Sequence, residues 1–230
     1  MLKVPDGVDR AANIASYRDK ELPVAPAVVD AIADFVAIHA YPAIDTEFPN
    51  SPLYWDWKQL AVPAGPARAT AMMDASIAEL KKQYQASRLA LDSVGLGRMP
   101  IVITETGWKA RITGDQAFRA HPVNQKMYFQ RLETWRQESR VSGNGPVNIF
   151  YFEAFDEPWK LSDDGWGLFN KDRKARYVIQ NLYPQNMWES TTLTDADAVY
   201  FVPPTINPAF ASNAFTLYSD AAGAALVAGY

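Results

Sequence analysis

Residues 100–108 read Pro100-Ile101-Val102-Ile103-Thr104-Glu105-Thr106-Gly107-Trp108, a near-continuous apolar run that ends in polar residues, a glycine and a tryptophan. A half-exposed strand alternates apolar and polar side chains, whereas an unbroken run is the pattern of a buried strand in a parallel sheet. Two more stretches have this form: Asp34-Phe35-Val36-Ala37-Ile38-His39-Ala40-Tyr41, and Pro146-Val147-Asn148-Ile149-Phe150-Tyr151-Phe152. Helical patterns separate them. Met73, Ile77, Leu80, Tyr84 and Leu91 recur on one helix face, with Gly95 and Gly97 closing that helix. A second helix is predicted from Pro122 through Met127, Tyr128, Leu132 and Trp135 to the break at Ser142-Gly143-Asn144-Gly145. A third is predicted over Arg173 to Leu182, ended by Pro184. Strands alternating with helices in this order define an α/β protein with parallel pairing.

Each strand runs into polar or aromatic residues at its carboxyl end: His39 and Tyr41, then Glu105 and Trp108, then Glu153, Asp156 and Glu157. Barrel enzymes keep their chemistry at that end, and an open doubly wound sheet would bind ligand there too, so periodicity leaves both architectures open. No glycine-rich phosphate loop favours a nucleotide-binding sheet; Gly95-Leu96-Gly97 precedes a strand and reads as a helix cap. A carboxylate at a buried strand's exit loses hydration, so it is paired, protonated or put to work. The stretch Tyr151-Phe152-Glu153-Ala154-Phe155-Asp156-Glu157-Pro158-Trp159-Lys160, followed by Asp163-Asp164-Gly165-Trp166-Gly167-Leu168-Phe169, crowds carboxylates, a lysine and two tryptophans onto one strand exit. That is dense for a solvated loop.

Composition narrows the partners. The chain has 230 residues, 22 basic against 26 acidic, and no cysteine. It carries no electrostatic footprint for nucleic acid and cannot form disulfides or thiolate metal sites. No stretch reaches the roughly 18 apolar residues of a membrane helix, and Met1-Leu2-Lys3-Val4-Pro5-Asp6 does not read as a signal peptide. His39 and His121 lie far apart without His-Glu-x-x-His spacing, so no metal site and no cofactor is expected. Seven Trp and eleven Tyr suit the apolar faces of sugars as well as a core. Trp55 and Trp57, in the long loop from Ala43 to Arg68, read either as outer sugar platforms or as a loop folded on its own barrel. Packing is the expectation for Trp166 and for His39, the latter as a core histidine with a satisfied hydrogen bond.

Glu105-Thr106-Gly107-Trp108 after an apolar strand, Phe152-Glu153-Ala154-Phe155-Asp156-Glu157-Pro158-Trp159-Lys160, and Trp166-Gly167-Leu168-Phe169 together resemble glycoside hydrolase family seventeen, the β-1,3-glucanases and β-1,3-glucanosyltransferases. His39-Ala40-Tyr41-Pro42 is similar to that family's Tyr-Pro at the end of the preceding strand. The resemblance covers about Asp34 to Pro184. It implies a (β/α)8 TIM barrel that acts on β-1,3-glucan with retention of configuration, with Glu105 as the nucleophile. Glu157 and Lys160 match the family's Glu-x-x-Lys pair, an electrostatic support whose cation would help keep the nucleophile ionised. Tyr41 would lie near the same sugar, and Trp108 and Trp159 would be stacking or wall residues. Asp163 stands where the family commonly has a Glu, and Glu153 is a secondary candidate for substrate binding.

Retention requires a second carboxyl group about 5 to 5.5 Å from the nucleophile. The family supplies it from an Asn-Glu pair on an earlier strand, and this sequence contains no Asn-Glu dipeptide. Only 33 residues precede Asp34. The expectation is therefore the carboxyl-terminal portion of the barrel over residues 1–184, with about three of its eight strands. The partner is then the missing amino-terminal half of the barrel, and the isolated chain is expected to be inactive or nearly so. The alternative is a non-catalytic glucan-binding remnant of the same fold. Residues 185–230 read as a β-prone tail or the start of a further module, with strand-like pieces at Ala198–Val202 and Phe215–Tyr218. A polysaccharide substrate implies an extracytoplasmic location: secreted, cell wall or periplasm.

Overall fold

The structure, a computed structural model, describes residues 30, 33–42, 62–63, 65–111, 120–159 and 165–195. The described part is a parallel three-stranded sheet with two long helices in the order β1 (Val36–His39), α1 (Pro66–Ser93), β2 (Ile101–Thr106), α2 (Pro122–Ser142) and β3 (Asn148–Tyr151). The strands lie side by side in chain order, so β2 is central. All three predicted strands and the first two predicted helices are present. The predicted helix over 173–182 is not. Arg173 takes φ 60°, outside the helical region, and that segment forms a turn and a short 3-10 helix, Gln180–Leu182. A second 3-10 turn, Gln185–Met187, follows. The expected boundary after Pro184 is crossed by backbone bonds: Ala175 N–H donates to Met187 O and Glu189 N–H donates to Ala175 O. The strand-like pieces at 198–202 and 215–218 lie outside the described residues.

Each helix carries its own start and stop signals. Pro66 and Pro122 open α1 and α2 in the first turn, where a missing N–H costs nothing, and His121 Nδ1 accepts the Val123 N–H as the α2 cap. Gly143 closes α2 in the left-handed region at φ 70°. Beyond α1 the Leu96 N–H returns to Leu91 O with Gly95 at φ 80°, the six-to-one bond of a Schellman turn. Arg88 fixes that turn to the start of β2 by donating to Leu96 O and Met99 O, both at 2.6 Å.

The core lies between the helices and one face of the sheet. Met72, Met73, Ile77 and Leu80 of α1 and Tyr128, Leu132 and Trp135 of α2 pack with Ile103 and Ile149. Ile101 joins Leu91, Leu96 and Met99 around the end of α1. Burial on both faces holds for β2, whose first three residues are buried, but not for its neighbours. Ala37 of β1 is exposed and Phe150 of β3 is 53% exposed, both on the face away from the helices. No helix among the described residues is long and apolar enough to cross a membrane.

One irregularity decides which way the catalytic candidate points. Against β1, Ile38 pairs with Ile103 but His39 pairs with Glu105; against β3, Ile103 pairs with Ile149 but Thr106 pairs with Tyr151. Relative to both neighbours, β2 carries one extra residue between Ile103 and Thr106, which is a β-bulge. Strict alternation would put Glu105 on the helix side with Ile101 and Ile103. After the bulge it is Thr106 that faces the helices, its hydroxyl 2.6 Å from that of Tyr128, and Glu105 turns to the opposite face.

Candidate active site

At the carboxyl end of the sheet, three side chains from two strands meet. The Tyr41 hydroxyl donates to Glu105 Oε2 at 3.0 Å, and His39 Nδ1 lies 3.0 Å from the same oxygen. All three residues are partly exposed. His39 and Tyr41 are two apart at the end of β1, so both project from the sheet face that the bulge gives to Glu105. The expectation of His39 as a core histidine is corrected in its setting: the imidazole is partly exposed and lies against the Glu105 carboxylate at an open strand end. The spacing His39-x-Tyr41 was the signal that could have found it, since alternate residues of a strand share a face.

Tyr41 is held in place by rings. It meets Trp166 edge-on at 5.2 Å and Phe152 at 6.3 Å, and those two rings meet at 6.1 Å. Trp166 is 3% exposed, as expected of a packing residue, and the Lys109 ammonium lies 5.1 Å from its ring centre. The Trp166 loop is fastened from below. Gln125 of α2 donates to Trp166 O and Gly167 O, and Asp156 Oδ1 accepts the Gly165 and Gly167 N–H groups at 3.2 and 2.9 Å.

Asp156 belongs to this fastening and not to the open carboxylate cluster in which the sequence placed it. Arg176, fully buried, donates to both of its oxygens, at 2.9 and 2.6 Å. The strand exit turns Asp156 inward because residues 153–156 pair with Leu168 and Phe169 through backbone bonds. Sequence gave no cue to Arg176, since an arginine in a polar stretch normally reads as a surface residue.

Trp108, expected either to stack or to form a wall, is buried. It is 1% exposed and packs its ring 5.4 Å from Tyr128, while its backbone N–H and C=O both engage the Tyr151 hydroxyl. After the bulge it shares the helix face with Thr106, so it is a wall of the core with no ring face open for stacking. Burial pushes the Tyr151 hydroxyl far above the ordinary phenol range, so it remains a neutral donor and acceptor between these groups. Trp159 is the opposite case: 72% exposed beyond the exit of β3. Glu153 and Glu157 are half-buried there, with Glu153 Oε1 shielded from water. Lys160, Asp163, Trp55 and Trp57 lie outside the described residues. No cluster of acidic or histidine residues fit to hold a metal occurs among the described residues.

A carboxylate at the exit of the central parallel strand, bonded by a tyrosine that packs on two further rings and approached by a histidine, fits the class of α/β proteins with their chemistry at the strands' carboxyl ends. Residues 15–181 match the family Glycosyl hydrolases family 17, and the chain belongs to that family. It is similar to a glucan endo-1,3-beta-glucosidase B of Solanum lycopersicum, 27% identical over 107 residues that cover 46% of this chain and 29% of that protein. It is also similar to a glucan 1,3-beta-glucosidase of Arthroderma benhamiae, 33% identical over 108 residues that cover 40% of this chain and 32% of that protein. The chain therefore spans about a third of the length of these curated relatives. Among solved structures, an endo-laminarinase from Formosa shares the fold, with a TM-score of 0.59 and 24% identity over 84% of this chain and 50% of that one.

Proposed function

We propose that this chain carries the nucleophile of a retaining enzyme that hydrolyses or transglycosylates β-1,3-glucan. The observation that carries the reading is the placement of Glu105: the bulge in β2 turns it to the open face, and Tyr41 and His39 orient it there. Membership of the glycosidase family supports the same chemistry. In the first step a Glu105 oxygen bonds to the anomeric carbon as the glycosidic bond breaks, and in the second, water or another sugar displaces Glu105 from the opposite side. Two inversions give retention, and the identity of the intercepting hydroxyl separates hydrolysis from transfer.

The other parts follow from position. Trp159 offers an exposed ring face for a sugar, Glu157 and Lys160 serve as the electrostatic support, and Glu153 and Asp163 are sugar contacts. The general acid/base is a second carboxyl group from residues outside those described, because the chain contains no Asn-Glu pair. That group comes with the amino-terminal part of a (β/α)8 barrel, of which β1 to β3 are three strands. The exposed Phe150 and Ala37, on the sheet face opposite the helices, are what further strands would cover when the barrel closes. A polymeric glucan substrate goes with an extracytoplasmic location.

The test is product analysis on linear β-1,3-glucan with the full-length protein, the isolated chain, and the Glu105→Gln variant. The full-length protein is expected to release β-configured oligosaccharides, the isolated chain few or none. Glu105→Gln should lower the rate by about four orders of magnitude or more. An isolated chain that turns over glucan at the full-length rate would refute the external acid/base. A fully active Glu105→Gln would refute the nucleophile, and a full-length protein that binds glucan without cleaving it would replace catalysis by binding.

A further inference from the structure

Two side chains converge on one oxygen of Glu105, the Tyr41 hydroxyl as a hydrogen-bond donor and the His39 imidazole by close approach. The Tyr41 hydroxyl and His39 Nδ1 each lie 3.0 Å from Oε2, and among the described residues neither donates to Oε1. The last torsion of a glutamate side chain is broad and weakly restrained, so an isolated carboxylate presents its oxygens in many orientations. Contacts from two points on β1, the Tyr41 hydrogen bond and the His39 Nδ1 approach, restrict that freedom. Both arrive by the same device, since the bulge sets His39 opposite Glu105 across the sheet and Tyr41 follows two residues on.

We propose that His39 is a positioning residue: together with Tyr41 it clamps Oε2, fixes the rotation of the Glu105 carboxylate, and leaves Oε1 as the atom that bonds to the anomeric carbon. The proposal rests on the reading of Glu105 as nucleophile. It requires the imidazole proton on Nδ1, because a bare Nδ1 would set its lone pair against that of the carboxylate. No proton moves in the step. The Oε1–carbon bond forms as the bond from that carbon to the leaving group breaks, and Oε2 becomes the carbonyl oxygen of the glycosyl ester with its two donors still in place. His39 thus lowers the cost of aligning the nucleophile and is not itself a proton carrier.

The probe is 2-deoxy-2-fluoro-laminaribiosyl fluoride acting on the full-length protein. Fluoride leaves without a proton donor, so the first-order inactivation rate at saturation reads bond formation at the nucleophile alone. His39→Leu should slow that rate about ten- to a hundredfold, the effect of one hydrogen bond to a charged group, with little change in the half-saturating concentration. His39→Asn places an amide N–H where Nδ1 stands and should restore the rate to within about threefold of the parent, as the same donor is kept. A His39→Leu protein that labels as fast as the parent overturns the proposal, as does a His39→Asn protein as slow as His39→Leu.

A second measurement separates this failure from that of the nucleophile itself. The chain has two histidines, His39 and His121, so its imidazole nitrogen spectrum is simple. His39 should show its proton on Nδ1 and lose that preference in Glu105→Ala, while His121 stays unchanged and reports that the fold is intact. A label on a peptide without Glu105 overturns the nucleophile. An unmoved His39 signal in Glu105→Ala overturns the clamp.

Discussion

Replacing Arg176 by methionine should unfold this protein sooner than any surface substitution and should loosen the active site with it. The guanidinium is fully buried, holds both Asp156 oxygens at 2.6 to 2.9 Å, and donates a further bond to Gly167 O at 3.0 Å. Methionine fills much of the volume but removes the two-pronged guanidinium from the buried Asp156 carboxylate, which keeps the two glycine N–H donors and the looser Arg111 ion pair at 3.8 Å, and it also breaks the Arg176–Glu189 ion pair at 3.3 Å. Breaking a buried ion pair from one side costs about 3–5 kcal/mol. For a domain of this size that lowers the midpoint of thermal unfolding by roughly 6–20 °C, at about 2–4 °C per kcal/mol. Removing both charges in Asp156→Leu/Arg176→Met should cost less than the sum of the single changes, because no buried charge is left alone. Circular dichroism melts and urea titrations measure all three variants. Arg176→Met within about 1 kcal/mol of the parent, or strictly additive single changes, would refute the assignment of the pair as the anchor of the loop.

Two other outcomes follow from the same geometry. Gly107→Ala would push a methyl group into the Phe152 carbonyl oxygen and against the Trp166 ring, so it should destabilise by about 1–3 kcal/mol and lower glucan turnover, read by melting and by reducing-end assay. Lys126 and Tyr177 hold Asp195 below the ordinary aspartate range by hydrogen bonding; its contribution is therefore present at neutral pH and is lost only as pH falls through that lowered value. The Asp195 side chain is 74% exposed, so Asp195→Asn should cost less than about 1 kcal/mol at pH 7 and nothing once the aspartate is protonated, checked by urea titration at both pH values.

The strands and two helices were legible because their signals are local. Apolar runs mark β1 to β3, Pro66 and Pro122 open the helices, and Gly95 and Gly143 close them, each requiring only neighbours in sequence. Glu105 and Tyr41 were legible as strand-end residues by their place after an apolar run, and Trp159 only through the family resemblance. What escaped depends on contacts distant in sequence. Asp156 and Arg176 are 20 residues apart, and nothing in either segment announces that both charges go inside. For Trp108 the resemblance left stacking and wall roles open; which face it takes depends on the bulge. The 173–182 helix failed because its apolar residues Ala175, Val178 and Ile179 pack with Leu168 and Phe169 as an irregular segment, with Arg173 already at positive φ.

The bulge and the buried pair do different halves of one task. In a parallel strand of strict alternation, the residue two positions after Ile103 belongs to the helix side, where a carboxylate would meet Tyr128 and the core. One extra residue in β2 reverses that and puts Thr106, a hydroxyl that Tyr128 satisfies, in the buried place. Turning Glu105 outward does not yet orient it, and orientation requires Tyr41 to be stiff. Its ring leans on Trp166, whose loop is fixed through Gly165 and Gly167 to Asp156, and Asp156 is fixed by Arg176. A buried ion pair is a poor source of net stability, since desolvation offsets most of its attraction, but it admits few geometries. Its value here is the alignment it passes through Trp166 and Tyr41 to one oxygen of Glu105. A change at Arg176 should therefore lower the rate of Glu105 labelling even at temperatures where the protein remains fully folded.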